Sequence, residues 1–147
     1  MKPEPANHRP FEHTADTGVE IDAPGREELF AEAAVALCDT MTPVAGVRCA
    51  IERQVEVEAG DDELLLVDFL NAVLLMLDTQ GLLFGRAVVQ LGSSSGSALV
   101  HLHATLHGEP YDESRHPLHS LIKAVTYHGL RVWQEDGRFR ARVLFDL

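Results

Sequence analysis

A chain of 147 residues suits one domain with a sizeable core, and 46% apolar content is ordinary for a globular protein. Twelve basic residues against 23 acidic ones give a net charge of −11. Nucleic-acid binding draws on a basic footprint that neutralises phosphates, so this balance argues against strong direct binding of RNA or DNA; it suits a cation, a basic protein partner or plain solubility.

Residues 1–10 carry three prolines and few apolar groups, and are expected to form a flexible tail ahead of a domain spanning 11–147. The opening Met1-Lys2-Pro3-Glu4-Pro5 lacks the apolar stretch of a signal peptide. Val19-Glu20-Ile21-Asp22-Ala23 alternates like a strand, broken by Pro24-Gly25. From Arg26 to Met41 the apolar positions Leu29, Phe30, Ala33, Ala34, Leu37 and Met41 follow helical spacing. Glu27 and Glu28 suit the positive end of that helix dipole, and Pro43 marks its stop. Arg48 to Glu58 alternates around Ile51, Val55 and Val57, a strand with one wet face.

Gly60-Asp61-Asp62 opens a second helix, with an aspartate available as cap, and Gly81 ends it. This helix is apolar almost all round, which predicts burial between layers. The run Leu64 to Leu77 holds Asp68 and Asn71 and is too short to span a bilayer. Asp68 and Asn71 lie three apart on one face, and hydrogen bonding to neighbouring backbone is their first explanation. Leu83 to Leu91 is a strand, 92–97 a turn, and Ala98 to Leu106 a two-faced strand. Residues 108–117 read as a polar loop, 121–127 and 130–134 as two strands, 135–138 as a hairpin turn, and 139–145 as the last strand. The pattern is an α+β domain: two helices packed on a mixed, largely antiparallel sheet.

Cys38 and Cys49 are too few for a zinc ribbon or a C-x-x-C redox pair, and a reducing, cytoplasmic setting is expected. His101, His103 and His107 share one strand face, a spacing that can hold a metal. The sequence shows no nearby carboxylate or cysteine to complete a ligand set, which favours a solvated face. No glycine-flanked serine, cysteine–histidine pair or phosphate-cradling glycine loop is visible. The better candidates are Asp16, in Phe11-Glu12-His13-Thr14-Ala15-Asp16, and Asp146, in Leu144-Phe145-Asp146-Leu147. If the final strand brings them together with the terminal carboxylate of Leu147, hard oxygen ligands for Ca²⁺, Mg²⁺ or Mn²⁺ converge. Equally, Asp16 can serve as a turn or cap residue ahead of Gly18. Lys123, on an otherwise apolar stretch, either snorkels or offsets that acidic cluster.

Six stretches carry a resemblance. They are residues 11–16, Leu65-Leu66-Val67-Asp68-Phe69-Leu70-Asn71, Asp78-Thr79-Gln80-Gly81-Leu82-Leu83-Phe84, Gly108-Glu109-Pro110-Tyr111-Asp112, Lys123-Ala124-Val125-Thr126-Tyr127-His128-Gly129-Leu130, and 144–147. In that order they resemble the archease family, with Phe69 where an archease often has Trp. The resemblance implies a two-helix, mixed-sheet fold and an accessory role for an RtcB-type RNA ligase in tRNA splicing and RNA repair. The chain would promote guanylylation of the ligase's active-site histidine and multiple turnover, without catalysing ligation. Family metal ligands map onto Asp16, Asp146 and Leu147, and Lys123 matches a lysine needed for activation. A chaperone-like interaction module is the second reading. A metal-dependent hydrolase, with His13 or His128 beside the carboxylates as base, is the third.

Overall fold

The structure is a computed structural model that describes residues 3–13, 16–93 and 96–147, the side chains of Glu12, His13 and Asp16 excepted. Its elements run β1 (Asn7–His13), β2 (Asp16–Ala23), α1 (Arg26–Met41), β3 (Ile51–Ala59), α2 (Asp62–Gln80), β4 (Leu82–Ser93), β5 (Val100–Pro110), β6 (Ala124–Glu135) and β7 (Arg138–Asp146). Two sheets form, ordered β1-β2-β7-β6 and β3-β5-β4. Every strand pairing is antiparallel among the described residues, in line with the largely antiparallel sheet expected, and no parallel pair accompanies them there. The crossover β3–α2–β4 would leave two parallel neighbours, but β5 slots between them and pairs antiparallel with both.

Both helices contact both sheets: α1 packs on β4 and on β1, β2 and β7, and α2 packs on β3, β4 and β5 and on β6. This explains why α2 is apolar nearly all round. Its cap is Asp61, whose Oδ1 accepts from Leu64 N at 2.8 Å. Phe30 of α1 and Phe69 of α2 are fully buried, each contributing about 1.5–3 kcal/mol. All six apolar positions read from the spacing of α1 are buried.

Three boundaries differ from the sequence reading. Residues 7–10 belong to β1 rather than to a tail. The prolines obscured this: β1 pairs only with β2, so Pro10 sits on an edge strand, where its missing N–H costs no central ladder bond. Residues 108–110 extend β5 instead of opening a loop. The two strands expected at 121–134 are one strand, β6, whose register with β7 shifts between Thr126 and Arg131. Gly129 accounts for the shift: its φ of 69° is a left-handed conformation, and a Cβ there would meet Leu144 Cδ1 at 2.8 Å. The strand bulges there and continues.

The start of β1 is tied to α1 by His8, whose Nδ1 lies 2.5 Å from Glu32 Oε2 and whose Nε2 lies 2.8 Å from Asp39 Oδ2. The Glu32 hydrogen bond, with help from Asp39 and against the cost of burial, raises the His8 pKa from 6.5 to about 9. The fold therefore favours charged His8. That stabilisation is complete below pH 6.5 and is lost as pH climbs through about 9. The melting temperature is expected to fall across that window, and His8→Gln is expected to lack the step. Superimposable pH–melting profiles for the two proteins would refute the assignment.

Candidate functional site at one end of the four-stranded sheet

In the β2–β7 ladder Thr17 pairs with Phe145. Asp16 precedes Thr17 and Asp146 follows Phe145, and the strands are antiparallel, so the backbones of Asp16 and Asp146 stand at the same end of neighbouring strands. His13 pairs with Asp16 across β1–β2, which brings a third candidate to this corner. The side chains of Asp16 and His13 lie outside the described residues. On the other flank Ala124 pairs with Asp146, and Lys123 N donates to Asp146 O at 2.7 Å. Lys123 lies just before β6, with its side chain exposed. Asp146 is exposed and Leu147, the last residue, is 40% exposed. The register thus places Asp16, Asp146, Leu147, Lys123 and His13 at one corner. His128 lies further along β6 and lines an open cavity on the outer face of the sheet.

Two devices hold the corner. The first is Asn71 of α2. Its Nδ2 donates to Val125 O at 3.1 Å and its Oδ1 accepts from Val125 N at 3.0 Å. Because β6 is an edge strand, these two backbone groups have no neighbouring strand on that side, and the amide supplies the missing ladder. Backbone hydrogen bonding is thus the reason for Asn71, as its face suggested; Asp68 is exposed.

The second device is Glu109, which a sequence-read polar loop concealed. It is 6% exposed, and its carboxylate accepts from Arg48 N at 2.7 Å, from Arg115, and from His116 Nε2 at 3.0 Å. The Arg115 hydrogen bond, then that of Arg48 N, hold its pKa at about 2. His116, 1% exposed, accepts from Asp112 N at Nδ1, so its ring proton sits on Nε2 facing Glu109. The segment that follows is fastened further by His119 N to Met41 O at 2.8 Å, and it delivers Lys123 to Asp146. A signal for this network was present: an acidic residue flanked by Gly108 and Pro110 at a strand end.

The donors at the corner are of the hard oxygen type that suits Ca²⁺, Mg²⁺ or Mn²⁺. Among the described residues Asp146 makes no ion pair with Lys123, and it is the backbone carbonyl of Asp146, not its carboxylate, that accepts from Lys123 N. Among the described residues no group of three or more His, Cys, Asp or Glu side chains is gathered for a metal. That includes the β5 histidines. The carboxylates not seen in the sequence are nevertheless there: Glu52, Glu56 and Glu58 of β3 pair in register with His107, His103 and His101. His101 Nδ1 lies 3.2 Å from Glu58 Oε1, and His103 Nε2 bonds Gln54 at 2.8 Å. Cys38 is buried and Cys49 exposed, both as free thiols. No helix among the described residues is long and apolar enough to cross a membrane.

The family model of the archease protein family matches residues 8–147. A protein archease of Methanopyrus kandleri is 39% identical over 138 residues, covering 93% of this chain and 96% of its own. One from Pyrococcus furiosus is 34% identical with the same coverage. The solution structure of a Methanobacterium thermoautotrophicum protein superposes with a TM-score of 0.77 at 33% identity, over 95% of this chain and 98% of that one. The crystal structure of a Thermotoga maritima archease, described as a possible chaperone, shares the fold with a TM-score of 0.62 at 23% identity, over 95% and 96%. The family model over residues 8–147 and the Methanopyrus and Pyrococcus relatives, 34–39% identical over 93% of the chain, show that the chain belongs to the archease family.

Proposed function

We propose that this chain is an accessory protein that activates an RtcB-type RNA ligase in tRNA splicing and RNA repair. It promotes guanylylation of the ligase's active-site histidine and multiple turnover, and leaves the ligation chemistry to the ligase. The observation that carries this reading is the β2–β7 register, which puts the backbones of Asp16 and Asp146 side by side although 130 positions separate them in sequence. The carboxylates of Asp16, Asp146 and Leu147 would hold a divalent cation, which would neutralise their repulsion and present positive charge at the tip. Lys123, delivered by its bond to Asp146, would touch the partner. A chain of net −11 suits a basic, RNA-handling enzyme in the cytoplasm, because charge complementarity speeds encounter.

A second reading, a chaperone-like interaction module, draws on Leu121 at 70% and Tyr127 at 58% exposure beside Lys123. Their position at the same corner also suits a dedicated docking rim for one enzyme. Guanylylation and multiple-turnover ligation with purified proteins test the proposal. Asp16→Ala, Asp146→Ala and Lys123→Ala are each expected to lower stimulation about tenfold or more, equivalent to about 1.4 kcal/mol of lost interaction. Stimulation unchanged by both aspartate substitutions would sink it. Suppression of aggregation of unrelated proteins, with no effect on the ligase, would favour the second reading.

A further inference from the structure

The outer face of the four-stranded sheet holds an open cavity of about 700 Å³, a size that suits a nucleotide. In an acidic chain, its lining is basic: Arg9, Arg131, Arg140 and Arg142 face two carboxylates, Glu20 and Asp22. Those carboxylates are already engaged, Glu20 by lining Arg9 and Asp22 by Arg138 next to the lining. Glu20 accepts from Arg9 Nη2 at 2.6 Å, and Asp22 from Arg138 Nε at 3.0 Å. Glu135 at the margin accepts from Arg140 Nη1 at 2.9 Å and from Trp133 Nε1 at 3.1 Å.

Arg131 and Arg142 are left over. They stand directly opposite each other across β6–β7, and no carboxylate among the described residues lies within ion-pair range of either. Like charges directly opposite on one sheet face are destabilising, and Glu20, which stands opposite Arg142 on its other side, is bonded to Arg9 instead. Each guanidinium instead lies over a ring: Arg131 is 4.5 Å from the Trp133 centroid and Arg142 is 4.2 Å from that of Phe11. Stacking occupies the flat face of a guanidinium and leaves its N–H edge free to donate. Arg140, by contrast, is spent: its Nη1 bonds Glu135 and its buried Nε, without a hydrogen bond of its own, lies 3.5 Å from Asp22 Oδ1.

We infer that this cavity binds a nucleoside phosphate, with the phosphoryl group bridging Arg131 and Arg142 and the base lying along the Trp133 side. A phosphoryl group accepts bidentate bonds from two guanidiniums and offsets their mutual repulsion. An aromatic platform beside such a site suits a nucleobase, because every base has a π-face. The net charge of −11 opposes tracking of a long polyanion but tolerates one short-range phosphate, so the inference stands with the expectation of no strong nucleic-acid binding. It is independent of the ligase reading, since its residues are not those of the acidic corner.

Calorimetric titration with adenosine 5′-monophosphate, adenosine and inorganic phosphate tests it, alongside fluorescence of Trp133, the chain's single tryptophan. The monophosphate is expected to bind saturably, to change Trp133 emission, and to bind more tightly than either fragment. Arg131→Gln and Arg142→Gln are each expected to weaken it about tenfold or more, and Arg142→Lys to weaken it while keeping the charge, because lysine lacks the fork. Melting temperatures of the variants should hold or rise as the like-charge pair is removed. A short RNA ending in a phosphate that competes with the monophosphate identifies an RNA end as the source; failure to compete assigns a free nucleotide. No saturable binding at millimolar nucleotide, or equal binding by wild type and both glutamine variants, would overturn the inference. So would tighter binding of an acidic peptide at the same arginines.

Discussion

Gly108→Ala is expected to destabilise the protein by about 4 kcal/mol or more, the range reserved for backbone clashes and comparable defects. A Cβ at Gly108 would come within 1.7 Å of Leu83 O, 2.7 Å of Leu83 C and 2.9 Å of Phe84 Cα. All three are backbone atoms, so no rotamer change relieves the contact. The crowding arises because β4 and β5 shift register between Phe84 and Arg86, which drives β4 against β5 at this point. The only relief is to part the central strand of the three-stranded sheet from its neighbour. Glu109 follows directly, so the damage would also unseat the Glu109–Arg115–His116 network. Chemical denaturation read by circular dichroism measures the loss. Gly60→Ala is the control: nothing lies within 4 Å of its Cβ position, and a change within about 0.5 kcal/mol is expected. Equal stability of Gly108→Ala and wild type would show that the strands do not approach as described.

Asn71→Leu is expected to cost about 2–3 kcal/mol and to lower the melting temperature by roughly 5–10 °C for a chain of this size. Leucine fills similar volume but strands the N–H and C=O of Val125, a residue only 4% exposed. The penalty comes from leaving both groups without water or partner, more than from losing the two bonds themselves. The functional consequence is larger than the stability figure suggests. Val125 lies two residues after Lys123 and pairs with Phe145, next to Asp146. Loosening the start of β6 would free the corner before the rest of the sheet. Amide hydrogen exchange should therefore rise first at 123–126, and, on the proposed role, ligase stimulation should fall even well below the melting temperature. Asn71→Asp separates geometry from burial: it keeps an acceptor for Val125 N and loses the donor to Val125 O, so an intermediate effect is expected. Unchanged exchange in this stretch for Asn71→Leu would show that the amide is not what holds it.

Several elements were readable because their signals are local. The spacing of Leu29, Phe30, Ala33, Ala34, Leu37 and Met41 marks α1 to the residue, since one helix face meets the core every three or four positions. The apolar run of α2 announced contact with two layers, and the hairpin at Asp136-Gly137 has positive φ at both residues, 54° and 76°. The family, too, was legible in six ordered motifs. β1 was missed because prolines argue against strands, and only the sheet order reveals that this one lies on an edge. Glu109 was missed because an exposed and a buried glutamate look alike until a partner 61 positions away, Arg48, is placed beside it.

The cavity shows the division most clearly. Arg138, Arg140 and Arg142 alternate in the sequence, so a basic face on β7 could have been read from spacing alone. That Arg131 stands opposite Arg142, and that Phe11 lies beneath it, are consequences of register and sheet order. The same holds for Asp16 and Asp146. Composition and periodicity determined the helices and most strands, and short ordered motifs carried the resemblance to the family, because each depends on neighbours within a few residues. Tertiary structure alone decided which edges lie open, which charges meet and which ends of the chain share a corner, because strand pairing joins residues whose sequence separation carries no information about their distance in space.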